Sequence, residues 1–169
     1  AKEEALREQI KPHFVFNCLT AIENSYHQNL RQGDKTMTMF AKHLRNDVDS
    51  MDNDLVPFAK ELDMIFNYVN LENLRLEKSF PVYFDIDYQD FLIPPLSLQP
   101  LVENAIRYSK VNEKEEGYIQ IRSFLRDDGR VEVDVEDNGV GFDPLSVTSS
   151  SKGLANVKER LKLLLNAEI

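Results

Sequence analysis

Residues 98–109, LQPLVENAIRYS, have the pattern of a short amphipathic helix with a chemically useful polar side. On a helix, Asn104 and Tyr108 lie one turn apart on the same face, with Arg107 beside them. An amide oxygen can enter a Mg²⁺ shell, an arginine can bind phosphate oxygens, and an aromatic ring can pack on a base. Taken alone, the stretch equally fits a partly buried helix with a polar face. Its predicted inward residues are Leu98, Leu101, Val102, Ala105 and Ile106.

The segments around this helix alternate in the manner of β-strands. Residues 82–86 have period-two hydrophobicity, and so do residues 117–125 and 130–136. The last two segments flank Asp128-Gly129, which predicts a β-hairpin. A loop rich in Gly and Ser then precedes a closing amphipathic helix over residues 153–165. These elements predict an α/β domain over residues 79–169.

The first half of the chain is helical instead. A first helix over residues 2–30 is predicted to break at Gly33-Asp34, with Asp34 as the N-cap of the second helix. A break at residues 52–54 and Pro57 begins a third. The exposed apolar stripe of such a hairpin predicts a second copy of the chain, forming a four-helix bundle. The predicted stripes are Met37, Phe40, Leu44, Val48 and Met51 on the second helix, and Phe58, Leu62, Ile65, Val69 and Leu76 on the third.

Composition excludes several classes of function. Lys plus Arg number 20 and Asp plus Glu 29, which gives a formal net charge of −9. A nucleic-acid or membrane-surface partner is therefore disfavoured, because both are bound by a basic excess. One cysteine makes no internal disulfide and fits a reducing compartment. No apolar run approaches the ~20 residues of a membrane span.

The stretch QIKPHFVFN, residues 9–17, places a proline directly before a histidine in a helical pattern. Because an internal proline kinks a helix at a cost of ~3 kcal/mol, the kink is expected to serve His13. A neutral imidazole is a competent nucleophile near neutral pH, and Gln9 and Asn17 could orient its ring. The alternative is a surface histidine beside a kink. His27 and His43 lack metal-ligand spacing and are interpreted as ordinary histidines.

Two glycine segments complete the pattern. In DNGVGFD, residues 137–143, Gly139 and Gly141 follow a strand and allow a ligand to approach the backbone closely. Asp137 could accept a hydrogen bond from the exocyclic amine of adenine. In KGLANVKERLKLL, residues 152–164, Gly153 opens a helix, and helix N-termini bind phosphates. Each segment alone is a weak signal. The chain contains neither GxxxxGK[ST] nor GxGxxG after a strand.

Together, in order, these segments strongly resemble the LytS-like branch of sensor histidine kinases. Family members look like QxxPHFLFNxLNxI, LQPLVENAIKHG, DNGxGF and GxGLxNVxxRLxLL. The corresponding stretches here are QIKPHFVFNCLTAI, LQPLVENAIRYS, DNGVGFD and SKGLANVKERLKLL. The resemblance covers nearly the whole chain, and four ordered motifs are far more specific than any one of them.

The resemblance implies an α+β architecture. A helical dimerisation and histidine phosphotransfer domain (residues 1–78) precedes an α/β-sandwich Bergerat (GHKL-type) ATP-binding domain (residues 79–169), incomplete at its C-terminus. His13 would be the phosphoacceptor, Asn104 would hold Mg²⁺, and residues 142–152 would form a lid over ATP. By position in the motifs, the other nucleotide-site residues would be Glu103, Arg107, Tyr108, Asp137, Gly139, Gly141, Gly153 and Leu154.

The implied function is a two-component sensor kinase. His13 would be phosphorylated from ATP and would pass the group to an aspartate of a response regulator. The protein would act as a homodimer in the cytoplasm, as the soluble part of a membrane-anchored sensor, with no membrane contact by this stretch and no nucleic-acid partner. Related ATPases carry a water-activating Glu one turn before the Asn, where this chain has Pro100. A kinase is therefore favoured over a gyrase- or chaperone-like ATPase.

The sequence also departs from the family pattern. Ser151 replaces the first glycine of the last motif, Tyr108 a common His, and Lys11 a common Asn. These departures keep a second function open, that of a catalytically degenerate kinase acting as a dimerisation and docking module. A third alternative is an ATP-hydrolysing or ligase-type machine.

Overall fold

The structure, a computed structural model, describes residues 11–76, 78–141 and 152–167. Its helix-rich first half precedes an α/β half, as predicted. A 3₁₀ turn covers Val111–Glu113. The helices are α1 (Pro12–Gln28), α2 (Leu30–Met51), α3 (Phe58–Arg75), α4 (Gln99–Arg107) and α5 (Lys152–Leu165). The strands are β1 (Val56–Pro57), β2 (Val82–Ile86), β3 (Leu92–Ile93), β4 (Ile119–Leu125) and β5 (Val131–Asp137).

The first helix boundary differs from the prediction. The break falls at Asn29, whose backbone is extended and whose side chain accepts the N–H of Gln32 at 2.8 Å. Gly33 lies inside α2, where a Cβ would fall 2.1 Å from the Tyr26 ring. The predicted break at Gly33-Asp34 is therefore wrong, because this glycine serves close helix packing. Asp34 accepts the Tyr26 hydroxyl at 2.9 Å instead of capping α2.

Pro12 does not interrupt a helix among the described residues. It is the first residue of α1, and Lys11 before it is extended, with ψ of 109°. A proline at this position removes no intrahelical hydrogen bond. The predicted kink is therefore absent from the described part of α1, and residues 2–10 of the predicted first helix lie outside the described residues.

The buried stripe of α2 is more polar than predicted. Phe40 is buried and Leu44 half-buried, but Met37 and Val48 are largely exposed. The predicted stripe is therefore only partly confirmed, because polar side chains occupy much of the buried face of α2, and the burial of Met51 lies outside what the structure describes. Those buried polar residues are Thr36, His43, Asp47 and Ser50.

The third helix follows the prediction. Helix α2 ends at Met51, and Pro57 directly precedes α3. Phe58, Ile65 and Val69 of the predicted stripe are buried, and Leu62 and Leu76 pack against the same core. Asn73, near the end of α3, is tied to Phe80 by two hydrogen bonds. Its Nδ2 donates to the Phe80 carbonyl at 2.7 Å, and its Oδ1 accepts the Phe80 N–H at 3.0 Å.

The main sheet has three strands in the order β2–β4–β5. β2 runs parallel to β4, with Val82 opposite Ile119, and β4 pairs antiparallel with β5, with Ile121 opposite Val135. The predicted hairpin is confirmed, and Gly129 in its turn has the left-handed φ of 81°. A parallel pair needs a long crossover, and that crossover contains α4.

The sheet and α4 share one core with α3. Val102 of α4 and Ile119 and Ile121 of β4 are fully buried in the cluster that also holds Phe58 and Ile65. Of the predicted inward residues of α4, Leu98, Val102 and Ala105 are buried and the other two partly so. The helical half is thus packed directly against the α/β half.

Candidate functional site

His13 is the second residue of α1, and its side chain is exposed. Its ring Nδ1 lies 3.2 Å from the Asn17 Nδ2 atom, one turn further along the helix. In this contact the Asn17 amide N–H donates to Nδ1, and Nε2 is the opposite nitrogen of the ring. Asn17 thus orients the ring as the sequence suggested, while Gln9 lies outside the described residues.

Helix α4 presents the polar residues of the second motif. Its apolar face is buried through Val102 and Ala105, which leaves Asn104 half-buried at the edge of the core. The guanidinium of Arg107 lies 5.4 Å from the centre of the Tyr108 ring, a distance at which a cation and an aromatic face attract. The structure thus places the Arg107 cation beside the Tyr108 ring at the end of α4, and a nucleotide-binding role for Asn104, Arg107 and Tyr108 stays a prediction.

The end of β5 is docked on the end of α4. The Val140 N–H donates to the Ser109 carbonyl at 2.7 Å, and a Cβ on Gly139 would fall 2.2 Å from that carbonyl oxygen. Only glycine fits this approach. The structure therefore brings the Asn104–Tyr108 segment and the Asp137–Gly141 segment to one edge of the fold. Gly141 has a φ of 78° and open space where a Cβ would stand.

Asp137 and Asn138 are fixed at the strand end. Asp137 Oδ1 accepts the Gly139 N–H at 3.0 Å. The Asn138 Oδ1 accepts the Tyr118 N–H at 2.7 Å, and its Nδ2 donates to the Glu116 carbonyl at 2.9 Å. Sequence reasoning treated Asn138 only as part of a turn signal and missed this anchoring. The signal was present, because Asn side chains commonly close such turns.

Glu103 faces the helical half in this structure. Its carboxylate forms an ion pair with Lys11 and accepts the Gln99 Nε2 at 3.1 Å. Lys11 is two residues before His13, so α4 is tied close to the start of α1. The prediction that Glu103 lines the nucleotide site stays a prediction, and these contacts place it on the side toward α1.

A small cavity of about 20 Å³ lies between α1, α2, α3 and α4. Asp47 Oδ1 and Gln99 Oε1, both among its lining residues, are buried and have no hydrogen-bond donor among the residues that the structure describes. The volume matches about one water molecule, whose two O–H groups suit two acceptors. The lining residues are Lys11, Phe14, Val15, His43, Leu44, Asp47, Tyr68, Gln99 and Glu103.

His43 and Asp47 form a buried pair beside this cavity. His43 Nε2 lies 3.4 Å from Asp47 Oδ2. Burial raises the pKa of Asp47 to about 7, with further increases from Glu103 and Glu61, and burial lowers the pKa of His43 to about 4. Both groups are therefore favoured as neutral partners. The interpretation of His43 as an ordinary histidine did not anticipate this pair, for which the i, i+4 spacing to Asp47 was the missed signal.

Glu61 of α3 holds the chain just before α4. Its carboxylate accepts the backbone N–H groups of residues 96–98, at 2.6 Å from Leu96, 3.0 Å from Ser97 and 3.2 Å from Leu98. Sequence reasoning missed Glu61. The signal was a charged residue within an apolar stripe, three residues after Phe58 and four before Ile65.

The last motif is described in part. Gly153 and Leu154 lie within the first turn of α5, and Val157 of that helix is buried. The predicted lid over residues 142–152 lies outside the described residues except for Lys152. A phosphate contact at this helix start stays a prediction.

Neither a cluster of metal-binding side chains nor a membrane-spanning helix occurs in residues 11–76, 78–141 and 152–167. No group of three or more His, Cys, Asp and Glu side chains there could hold a metal ion. Within the same ranges, no helix combines the length and the apolar character that crossing a bilayer requires.

Comparison with known families decides the identity. Residues 1–80 match the family model of histidine kinases. Residues 96–169 match the model of histidine kinase-, DNA gyrase B- and HSP90-like ATPases. The chain belongs to the histidine kinases. The second match makes the α/β half of this histidine kinase an ATP-binding domain of the GHKL fold.

Several sensor proteins are similar to this histidine kinase. The sensor histidine kinase YpdA of Escherichia coli K12 is 34% identical over 97% of the chain. The sensor histidine kinase YesM of Bacillus subtilis 168 is 35% identical over 95%, and the sensor protein LytS of Staphylococcus epidermidis RP62A is 29% identical over 95%. The chain spans only 30%, 28% and 29% of these proteins, and 62% of the YwpD protein of Bacillus subtilis, to which it is 33% identical.

Among solved structures, the blue-light activated histidine kinase EL346 of Erythrobacter litoralis aligns with a TM-score of 0.49 and 17% identity. The alignment covers 89% of this chain and 57% of that one. The fold assignment rests on the family matches instead.

Proposed function

We propose that this histidine kinase transfers the γ-phosphoryl group of ATP to His13 and then to an aspartate of a response regulator. The observation that carries the proposal is the docking of Gly139 on the Ser109 carbonyl. That contact supports a single nucleotide site flanked by α4 on one side and by the end of β5 on the other.

Binding of the nucleotide is assigned to residues on both sides of this edge. Asp137 would accept the adenine amine, and Gly139 and Gly141 would leave room for the ring. Arg107 and Tyr108 would contact phosphate and ribose or base, with Glu103 at the rim. Gly153 and Leu154 would approach the phosphates from the start of α5, where free N–H groups favour anions.

The residues present fit a Mg²⁺ ion shared with substrate. Asn104 offers one amide oxygen, and the described residues contain no acidic cluster that would bind the ion alone. Such a donor set suits Mg²⁺, which commonly takes few protein ligands and completes its shell with phosphate oxygens and water. Bound there, the ion would neutralise charge on the β- and γ-phosphates.

The transfer itself needs a lone pair on His13 Nε2. That nitrogen would attack the γ-phosphorus as the bond to the β–γ bridging oxygen breaks and ADP leaves. The ring proton would then reside on Nδ1, and the Asn17 amide, whose NH₂ group faces Nδ1 in the structure, would turn its oxygen toward the ring to accept this proton. After transfer, this proton is lost to water, so the step needs no further protein base.

The partners proposed from the resemblance are a second copy of the chain and a receiver domain. The exposed apolar residues of the helical half support a homodimer, since three of them lie on α1 at spacings of three and seven residues and a fourth begins α2. The full-length protein is proposed to be a membrane-anchored sensor with this part in the cytoplasm. The exposed stripe residues are Phe16, Leu19, Tyr26 and Leu30.

The decisive experiment incubates the chain with γ-labelled ATP and Mg²⁺. We expect a label that is labile in acid and stable in base, as a phosphorus–nitrogen bond is. His13→Gln should lose at least 95% of the label, whereas His27→Gln, an exposed histidine on the same helix, should keep it. ATP binding without any label would favour the docking-module alternative. Steady phosphate release that survives His13→Gln would favour an ATPase.

A further inference from the structure

Glu61 is a buried carboxylate with three backbone partners, and the proposed chemistry gives it no task. Its side chain is 1% exposed. Oε1 accepts the N–H of Leu96, and Oε2 accepts those of Ser97 and Leu98. These three residues directly precede α4, so a side chain of the helical half holds the start of the nucleotide-site helix.

We call these three hydrogen bonds from residues 96–98 to Glu61 the clamp. The clamp satisfies two kinds of buried polar group at once. A buried charge is costly without hydrogen bonds, and so are the buried N–H groups of residues 96–98, which precede α4 and need an acceptor outside it. Burial raises the pKa of Glu61, while the three N–H groups and Arg160 oppose this rise. Charge-assisted hydrogen bonds of this kind are about twice as strong as neutral ones. The contact is therefore specific for a carboxylate.

The backbone at the clamp is held in an unusual conformation. Leu96 has a left-handed φ of 58°, which costs a non-glycine residue roughly 1–2 kcal/mol. Such a conformation persists only where its surroundings fix it. Glu61 fixes it from α3, and the Arg160 guanidinium of α5 donates to the Leu96 carbonyl at 3.5 Å. The segment before α4 is thus held by α3 through Glu61 and by α5 through Arg160.

A helix of nine residues behaves as a rigid rod, so holding its first turn sets the direction of every side chain it carries. Asn104 lies six residues beyond Leu98, less than two turns from the clamp. The far end of α4 is held by the contact between Ser109 and Val140. Loss of the clamp would let α4 tilt about this far end and would displace Asn104.

We propose that Glu61 is a positioning residue for the nucleotide site, which it sets by fixing the start of α4 against α3. The inference rests on the proposed function in taking α4 as the nucleotide-site helix. Glu61 acts on ATP through the orientation of α4 and leaves the reactivity of the His13 ring unchanged.

Two variants test the clamp in different ways. Glu61→Gln keeps the shape but turns an NH₂ donor toward backbone donors, and Glu61→Asp keeps the charge but withdraws it by one methylene. Both should weaken ATP binding about tenfold, as titration with a fluorescent ATP analogue would show. The matched control is Glu72→Gln, on the same helix, equally buried and paired with Arg75 within α3. It should stay within twofold of the wild type.

A second readout separates positioning from general destabilisation. Phosphoramidate is a small phosphodonor that labels histidine without a nucleotide site. Both Glu61 variants should keep their phosphoramidate labelling of His13, lose ATP-dependent labelling at low ATP and regain most of it at saturating ATP. ATP binding equal to that of Glu72→Gln, or equal losses with both donors, would overturn the inference.

The wild-type chain supplies the test if neither variant folds. By linkage, a clamp that favours ATP binding must itself be strengthened by ATP. The amides of residues 96–98 should therefore exchange with solvent more slowly when AMP-PNP and Mg²⁺ are present, and unchanged exchange would overturn the inference. A wild-type chain that binds no ATP contradicts the proposed function as well, whereas equal binding by wild type and Glu61 variants contradicts this inference alone.

Discussion

Individual side chains in this kinase have environments that give each a distinct and measurable property. Asp47 and Asp137 are both half of a small polar arrangement, yet one is buried between helices and the other stands at a strand end. Burial determines the pKa of Asp47, and the turn after β5 determines the position of the Asp137 carboxylate. Single substitutions at these two positions therefore test different aspects of the molecule.

Asp47 should make stability fall as the pH rises. Its pKa is raised from 3.8 to about 7 in the folded chain, so the folded state keeps a proton that the unfolded state loses. That stabilisation is complete below pH 3.8 and is lost as the pH rises through about 7. His43 opposes it, because a pKa lowered from 6.5 to about 4 makes stability rise over that interval.

Asp47→Asn, which is neutral at every pH, isolates the Asp47 contribution. We expect the variant's advantage over the wild type in free energy of urea unfolding to grow with pH, and to be larger at pH 8.5 than at pH 5.5 by roughly 1–3 kcal/mol. Asp63→Asn removes an exposed carboxylate paired with Lys42 and should change stability by less than about 1 kcal/mol at both pH values. An advantage that stays constant or shrinks as the pH rises would contradict the assignment.

Asp137 should determine recognition of adenine. Asp137→Asn keeps an oxygen for the Gly139 N–H but presents an NH₂ group to the adenine amine, so ATP affinity should fall about tenfold or more. Calorimetric titration with ATP and Mg²⁺ measures the change. Asp134→Asn alters a carboxylate of the same strand that pairs with Arg122, and it should bind ATP normally. Normal binding by Asp137→Asn would remove Asp137 from the site.

At the scale of elements, the site depends on how closely β5 and α4 approach. Gly139→Ala would push a methyl group into the Ser109 carbonyl, with backbone on both sides of the clash. We expect a loss of about 1–3 kcal/mol in unfolding free energy and a loss of at least tenfold in ATP affinity. Thermal denaturation and nucleotide titration measure the two effects.

Gly129→Ala is the matched control for this change. Gly129 follows Asp128 in a turn, much as Gly139 follows Asn138, but a Cβ on Gly129 meets nothing within 4 Å. Its left-handed φ makes alanine cost roughly 1–2 kcal/mol without reaching the site. Gly129→Ala should therefore lose stability and keep its ATP affinity. A similar loss of ATP affinity in both variants would show that the close approach of Gly139 is not special.

The strands of the main sheet and most helices of this chain follow from local sequence, whereas the short strands β1 and β3 and the contacts between elements do not. Periodicity placed the β4–β5 hairpin, β2 and α3, because each buries a regular apolar face. It placed the first helix break at Gly33, because a glycine that serves packing against Tyr26 looks the same as a glycine that ends a helix. Glu61 was missed because its backbone partners lie 35 to 37 positions away in the chain, whereas the pair of Asp47 with His43 had a local signal in its i, i+4 spacing.

In the candidate site, too, some features follow from local sequence and the contacts between elements do not. Motif residues on one element, such as Asn104 and Tyr108, could be grouped from their spacing. The ion pair of Lys11 with Glu103 joins residues 92 positions apart, and spacing carries no information about it. The family resemblance supplied the order of the motifs, and the fold supplied their contacts.

At the scale of the whole molecule, the helical half still presents apolar surface. Phe16 is 68% exposed and Leu30 is 76% exposed, although other apolar residues of α1 and α2 are buried. We expect a dimer in solution, with twice the 19.6 kDa mass of one chain by light scattering. The double substitution Leu19→Glu and Leu30→Glu should give monomers, because it places charge in the proposed interface without disturbing the core.

Leu125→Glu is the control for this prediction. Leu125 is similarly exposed but lies at the end of β4, near the hairpin turn. The variant should keep the mass of the wild type. A wild-type chain that remains at 19.6 kDa at high concentration would contradict the dimer, and a dimer that withstands both glutamates would place its interface elsewhere.

The double hydrogen bond between Asn73 and Phe80 has a mechanical consequence. Together with the grip of Glu61 on residues 96–98, it fastens the α/β half to α3 at two separate points. A rigid body that is fixed at two points can rotate about the line joining them, but it cannot translate away from its support. A domain movement that carries ATP toward the His13 imidazole must therefore be a rotation about that line, or it must first break one of the two sets of hydrogen bonds.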